Sequence, residues 1–235
     1  MRSLWLAALL LSSCSLTVET DDLSGGAPRD AAVDTPDTCD ESSCWSETAV
    51  MKLADLAPCS RTGGDTLACR AKIAERCRAL DPCCYHGGFG PLEFPNDAEA
   101  TVLCLSPASW VAPLSELTTA NAKCTSSTLG SRACDAAAHA SSKKRGKDSA
   151  VLQSGSGDSV AMIGLDADEI ELRTTVPWTE LTKLEPACTL ATVDQQACSI
   201  AVHRLCTAPP DGDSNIAGFG PVEWDTANVT VVCLF

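Results

Sequence analysis

Aromatic residues are scarce: four Phe, five Trp and one Tyr make up 4% of 235 residues. A core short of them leans on Ala, Val, Leu and Cys. Small units of that composition bury little apolar area, so covalent staples are expected. Positive charge is short as well. Seventeen Lys and Arg stand against 31 Asp and Glu, a net charge of −14, which argues against nucleic acid, because phosphate contacts need clustered cations. No apolar run is long enough to span a bilayer as a permanent helix. There is no G-x-S-x-G elbow and no repeated Ser/His/Asp set on which hydrolysis could rest. The sequence therefore assigns no catalytic residue, cofactor or metal.

Cysteine, by contrast, is plentiful. Fifteen are too many for a reducing compartment unless they bind metal, so an oxidising one is expected. Their intervals recur. Cys59 to Cys69, Cys124 to Cys134 and Cys188 to Cys198 have one spacing; Cys69 to Cys77 matches Cys198 to Cys206, and Cys77 to Cys104 matches Cys206 to Cys233. Gly88-Phe-Gly-Pro91 and Gly218-Phe-Gly-Pro221 recur with them. Such a period means an array of similar units. A Trp precedes each first cysteine (Trp45, Trp110, Trp178), and the middle copy carries Gly155-Ser-Gly-Asp158 where the others have Gly-Phe-Gly-Pro.

At the N-terminus Arg2 precedes the apolar run Leu4 to Leu11, an export signal in form. Leu11-Ser12-Ser13-Cys14 resembles the bacterial lipobox, the sequence cleaved before Cys by lipoprotein signal peptidase. The resemblance covers residues 1–14 only. It implies that residues 1–13 leave and that Cys14 becomes the lipidated first residue, anchoring the protein to a membrane. Ser15, rather than Asp, follows it, and by the same resemblance this favours the outer membrane of a diderm bacterium. Setting Cys14 aside leaves fourteen cysteines, an even number. From Ser15 to Glu47 there are nine acids and one base, with few large apolar residues, so residues 14–38 are expected to form a flexible stalk.

Each copy reads as a helix followed by a β-hairpin. Asp65 or Asp194 is a candidate helix cap, with Cys69, Ile73 and Cys77 along one face of the first helix and Cys198, Val202 and Cys206 along that of the third. The hairpins are expected at 92–105 and 222–234, and in the middle copy at 160–172. The middle copy lacks its third and fourth cysteines together, with Ser142 and Leu172 taken as standing in their places. That joint loss predicts first-to-second bridges, Cys59–Cys69, Cys124–Cys134 and Cys188–Cys198, and helix-to-strand bridges Cys77–Cys104 and Cys206–Cys233. Cys83 and Cys84 are then expected to receive Cys39 and Cys44, in unknown order.

Other candidates each have a plainer account. Cys77, Cys83, Cys84 and His86 could be drawn as a zinc site, but exported cysteines oxidise. His203 near a helix end suits the dipole. Phe89 and Phe219 with Glu93 and Glu223 could display a ligand edge twice, or Phe could plug the core while Glu faces solvent. Asp211, Asp213 and Asn215 begin like an EF-hand loop, yet Ile216 stands where Gly belongs. Lys143 to Lys147 is a basic cluster in what reads as a polar loop, 141–159.

The expected architecture is α+β: three small disulfide-stapled repeats, at 39–110, 111–178 (degenerate) and 179–235. The expected function is a non-catalytic binding or structural role at the cell envelope, with an envelope protein or glycan as partner. The alternative is an enzyme or inhibitor whose site forms between repeats.

Overall fold

The computed structural model describes residues 44–61, 66–166, 170–208 and 216–234. The signal, Cys14, the stalk, Cys39 and the 211–215 run lie outside them. The described chain is mixed α and β, with nine strands in three antiparallel sheets and five helices. The first sheet joins β1 (Glu47–Lys52), β2 (Gly87–Asn96) and β3 (Glu99–Leu105), with α1 (Leu67–Leu80) between β1 and β2. The second joins β4 (Ser109–Pro113), β5 (Ser149–Ser156) and β6 (Ser159–Leu165), with α2 (Leu114–Ala120) and α3 (Arg132–Ser142). The third joins β7 (Ile170–Pro177), β8 (Ala217–Trp224) and β9 (Asn228–Leu234), with α4 (Trp178–Leu184) and α5 (Gln196–Thr207). Strand orders are β1-β3-β2, β4-β6-β5 and β7-β9-β8, so the last strand of each group is central.

Both faces of the central strands are buried, which is why their sequences read as apolar runs rather than alternations. Phe89, Leu103 and Leu105 of the first sheet meet Val151, Ile163 and Leu165 of the second and Phe219, Val232 and Leu234 of the third in one shared core. The opposite faces lie under helices in three smaller cores, which hold most of the cysteines. Each helix also reaches the neighbouring sheet. α1 packs on β2 and β5, α3 on β5 and β8, and α5 on β8 and β2, closing the cycle.

Six disulfides join described residues, including all five predicted from the recurring cysteine intervals. The sixth is Cys44–Cys84. Cys83 is disulfide-bonded too, and Cys39 lies outside the described residues.

Four expectations are corrected. The middle hairpin is 149–165, not 160–172; residues 170–177 form β7 and pair in the third sheet. By register Gly164, not Leu172, holds the place of Cys104 and Cys233. Val151 pairs with Ile163 as Phe89 pairs with Leu103, so Val151 takes the Phe position and Ser156 sits exposed near the turn. The three Trp are not equivalent either: Trp45 precedes β1, Trp110 lies inside β4 and Trp178 opens α4. β4 thus begins ahead of the expected boundary at 110 and β7 lies wholly ahead of the one at 178, yet each pairs within the sheet that follows.

The missing bridge has a substitute. A Cβ on Gly164 would fall 2.4 Å from Cζ3 of Trp110, whose ring packs into the second core. Ser142, fully buried, donates its hydroxyl to the His139 carbonyl at 2.7 Å. Gly164→Ala is therefore expected to cost about 1–3 kcal/mol by overpacking. In a Trp110→Ala background most of that cost should vanish. A double-mutant cycle by urea unfolding reads the coupling, and additive effects would rule the packing account out.

Candidate functional site

The second cysteine of each group lies in the first turn of a helix, preceded by alanine: Leu67-Ala-Cys-Arg70, Arg132-Ala-Cys-Asp135 and Gln196-Ala-Cys-Ser199. The residues flanking these Ala-Cys pairs meet at the seams between sheets. Arg70 donates from Nη1 and Nη2 to the two Asp135 oxygens, at 2.5 and 2.7 Å, and from Nη1 to the Leu152 carbonyl at 3.0 Å. Arg132 donates to Asp135 Oδ2 at 2.9 Å and to the Ser199 hydroxyl. Gln196 donates to the Pro91 carbonyl. The guanidiniums of Arg70 and Arg132 lie 4.6 and 5.5 Å from the Phe89 ring centre, a cation–π arrangement. Arg70, Arg132 and Asp135 are 0%, 2% and 3% exposed. Burial alone would raise the Asp135 carboxyl, but Arg70 and then Arg132 hold it below the ordinary carboxylate range.

Other polar groups join neighbours in the same sense. Gln153, beside the kink of β5, accepts from Gly88 N at 2.8 Å and donates to the carbonyls of Arg70 and Gly88. Asp194, expected from the sequence to cap its own helix, instead accepts from the backbone N–H of Arg132 at 2.6 Å, at the start of α3. Glu93, expected to face solvent, accepts from Arg204 at 2.7 Å. Glu223 is half-exposed and accepts from Lys143 at 3.2 Å. The basic cluster is a tight helical turn whose cations also reach Glu116 and Asp166, and the expected loop 141–159 is helix end, turn and strand.

The surroundings of His203 disfavour the cation that the helix end was expected to hold. Burial first, with Arg204 adding and Glu93 opposing, keeps its imidazole below its ordinary pKa. The unfolded chain takes that proton more readily than the folded one. Stability from this group is thus complete above pH ~6.5 and falls as pH drops below it, until the lower folded value is passed. The urea midpoint should drop between pH 7.5 and 5.0, and the drop should be smaller in His203→Gln. An equal drop in both proteins would count against this role.

Of the two drawn metal sets, the 211–215 run lies outside the described residues, and the cysteine set is not available to a metal. Cys77, Cys83 and Cys84 are all disulfide-bonded, so none offers a thiolate beside His86. Phe89 and Phe219 stand 5.7 Å apart inside the shared core, away from any surface edge. Polar side chains from different sheets do converge, but in the interior rather than in a cleft. Sequence reasoning missed Arg70, Arg132, Asp135 and Ser199. The signal available was the change of charge class around an otherwise constant Ala-Cys. On the surface, grooves of about 570 and 620 Å³ lie beside Trp178 and Leu114, at the starts of α4 and α2. A third, of about 350 Å³, lies between the α2–α3 end and β8. Comparison with protein-family models, with curated proteins and with solved structures finds no match.

Proposed function

We propose that this chain is an exported, lipid-anchored protein of the bacterial cell envelope with a binding rather than a catalytic role. Three copies of one strand–helix–hairpin unit form its ring, each stapled by disulfides. The observation that carries the reading is the use made of the converging polar side chains. Arg70, Asp135, Arg132 and Ser199 engage one another across the seams, and so hold units together rather than face a substrate. Pro113-Leu-Ser-Glu-Leu-Thr118 and Pro177-Trp-Thr-Glu-Leu-Thr182 support the repeat, since both open the short helix that follows a first strand. That every described cysteine is disulfide-bonded supports an oxidising compartment. Cys44 on Cys84 ties the start of the described chain to the turn that follows α1.

The N-terminal part of the proposal is tested by labelling with palmitate. Wild type should incorporate the label and partition with membranes, and Cys14→Ser should do neither. Label retained in Cys14→Ser would remove the lipoprotein reading. The binding role is tested by crosslinking and capture from envelope fractions, where a stoichiometric partner is the expected result.

A further inference from the structure

Two seams of the ring are built on the same places, and only one of them carries an arginine across it. Where α5 meets β2, Arg204 lies across the seam. Its Nε and Nη2 donate to Glu93 Oε1 at 2.9 and 2.7 Å, and its Nη1 donates to the Leu184 carbonyl at 3.0 Å and to Glu185 Oε2 at 3.2 Å. Leu184 is the last residue of α4, Glu185 follows it, and Glu93 pairs with Thr101 across the sheet. Where α3 meets β8 the same three places recur. Ala120 ends α2, Asn121 follows it, and Glu223 pairs with Thr230. Arg204 stands six residues beyond Cys198, and six beyond Cys134 is Ala140, an exposed methyl one turn past Ala136. The 350 Å³ groove at this seam is lined by Ala120, Asn121, Ala136, Glu223 and Trp224, with Lys123 among the rest.

We propose that this groove binds the side chain of an arginine on a basic polypeptide partner, in the manner in which Arg204 fills the α5–β2 seam. The final carbonyl of a helix has no partner within that helix, and Leu184 shows what such a carbonyl accepts here. Asn121 Oδ1 already accepts Lys123 N at 3.0 Å, and an amide oxygen takes two donors. Glu223 holds Lys143 at 3.2 Å and lies 3.4 Å from His139 Nε2, so the incoming guanidinium shares that carboxylate. Lys143 is half-exposed and can swing outward. Trp224 offers the flat face on which a guanidinium stacks better than an ammonium. Lys123 is exposed and moves its charge to solvent. A net charge of −14 steers cationic partners toward the surface.

The inference rests on the binding role proposed above and names its partner's chemistry. The test uses the full chain and a labelled nonapeptide with one central arginine, beside its citrulline and lysine counterparts, read by fluorescence polarisation. The arginine peptide should bind at one equivalent, and the citrulline and lysine peptides at least tenfold more weakly. Ala140→Arg supplies the guanidinium from within and should weaken binding at least tenfold with an unchanged or higher Tm. Glu223→Gln should weaken it similarly, and it decides the matter if Ala140→Arg does not fold. Equal binding of the arginine and citrulline peptides would overturn the site, as would undiminished binding by Ala140→Arg. Lysine matching arginine would mean a diffuse acidic surface instead. Free argininamide binding as tightly as the peptide would overturn the polypeptide source. A partner captured from envelope fractions equally by wild type and by Ala140→Arg would sink the groove while leaving the binding role in place.

Discussion

Replacing Asp135 by alanine should lower the stability of the folded chain by about 3–5 kcal/mol, because it leaves two buried arginines without their carboxylate. That is a large share of the roughly 5–15 kcal/mol that holds a domain folded. Arg70 makes two hydrogen bonds to Asp135 and Arg132 one, and the guanidiniums have nowhere wet to go. Urea unfolding should show the loss as a lower midpoint at unchanged slope. The triple change Arg70→Met, Asp135→Leu, Arg132→Met should by contrast come out near neutral, since it removes the charges together with their desolvation. The pH dependence follows from the lowered Asp135 carboxyl. Its contribution is complete above about pH 4, the ordinary carboxylate value, and is lost as pH falls through the lower folded one. A loss below 1 kcal/mol in Asp135→Ala would mean that the network does not join the seams.

The second large effect is covalent. Cys77–Cys104 and Cys206–Cys233 each close 27 residues and tie a helix to the central strand of its sheet. In the chain-entropy model such a closure contributes about 3.5 kcal/mol, against about 2.7 for a ten-residue span. For a domain of this size that corresponds to a Tm roughly 7–14 °C lower in Cys77→Ala/Cys104→Ala. Calorimetry reads it, and a fall of less than 3 °C would mean that the helix is held by packing alone. The second sheet makes the comparison within the same molecule, since Trp110 and Ser142 occupy the region that a bridge takes elsewhere. Trp110→Ala should therefore cost a similar amount, about 3 kcal/mol.

Cysteine spacing carried much of the fold because a disulfide needs its partners on fixed elements. Ten residues reach from a loop into a helix, and 27 reach from that helix to the strand lying under it. Where cysteine was missing, the reading slipped. Gly155-Ser-Gly157 looks like a turn because it is one, yet it is the hairpin tip and not the counterpart of Gly88-Phe-Gly90. That counterpart is Ala150-Val-Leu152, whose only marks are small and apolar side chains. The first strands were missed for a related reason. Glu47-Thr-Ala-Val-Met-Lys52 is an edge strand with little burial, and its alternation is faint. The tryptophans then supplied a false register. The candidate site was less legible still. A helical arginine normally belongs to the surface, and only its neighbours in space show that Arg70 is not there. The likeness of the two Arg204-type seams needed the ring closed before Ala140 could be compared with Arg204.

The central claim is that three sheets share one core, closed through α5 on β2. Native-state hydrogen exchange across a series of low denaturant concentrations tests it most directly. The slow amides of β3, β6 and β9 should merge into one opening, with a common free energy and a common denaturant slope. Amides of β6 exchanging through a separate opening of lower free energy, while β3 and β9 stay protected, would contradict it.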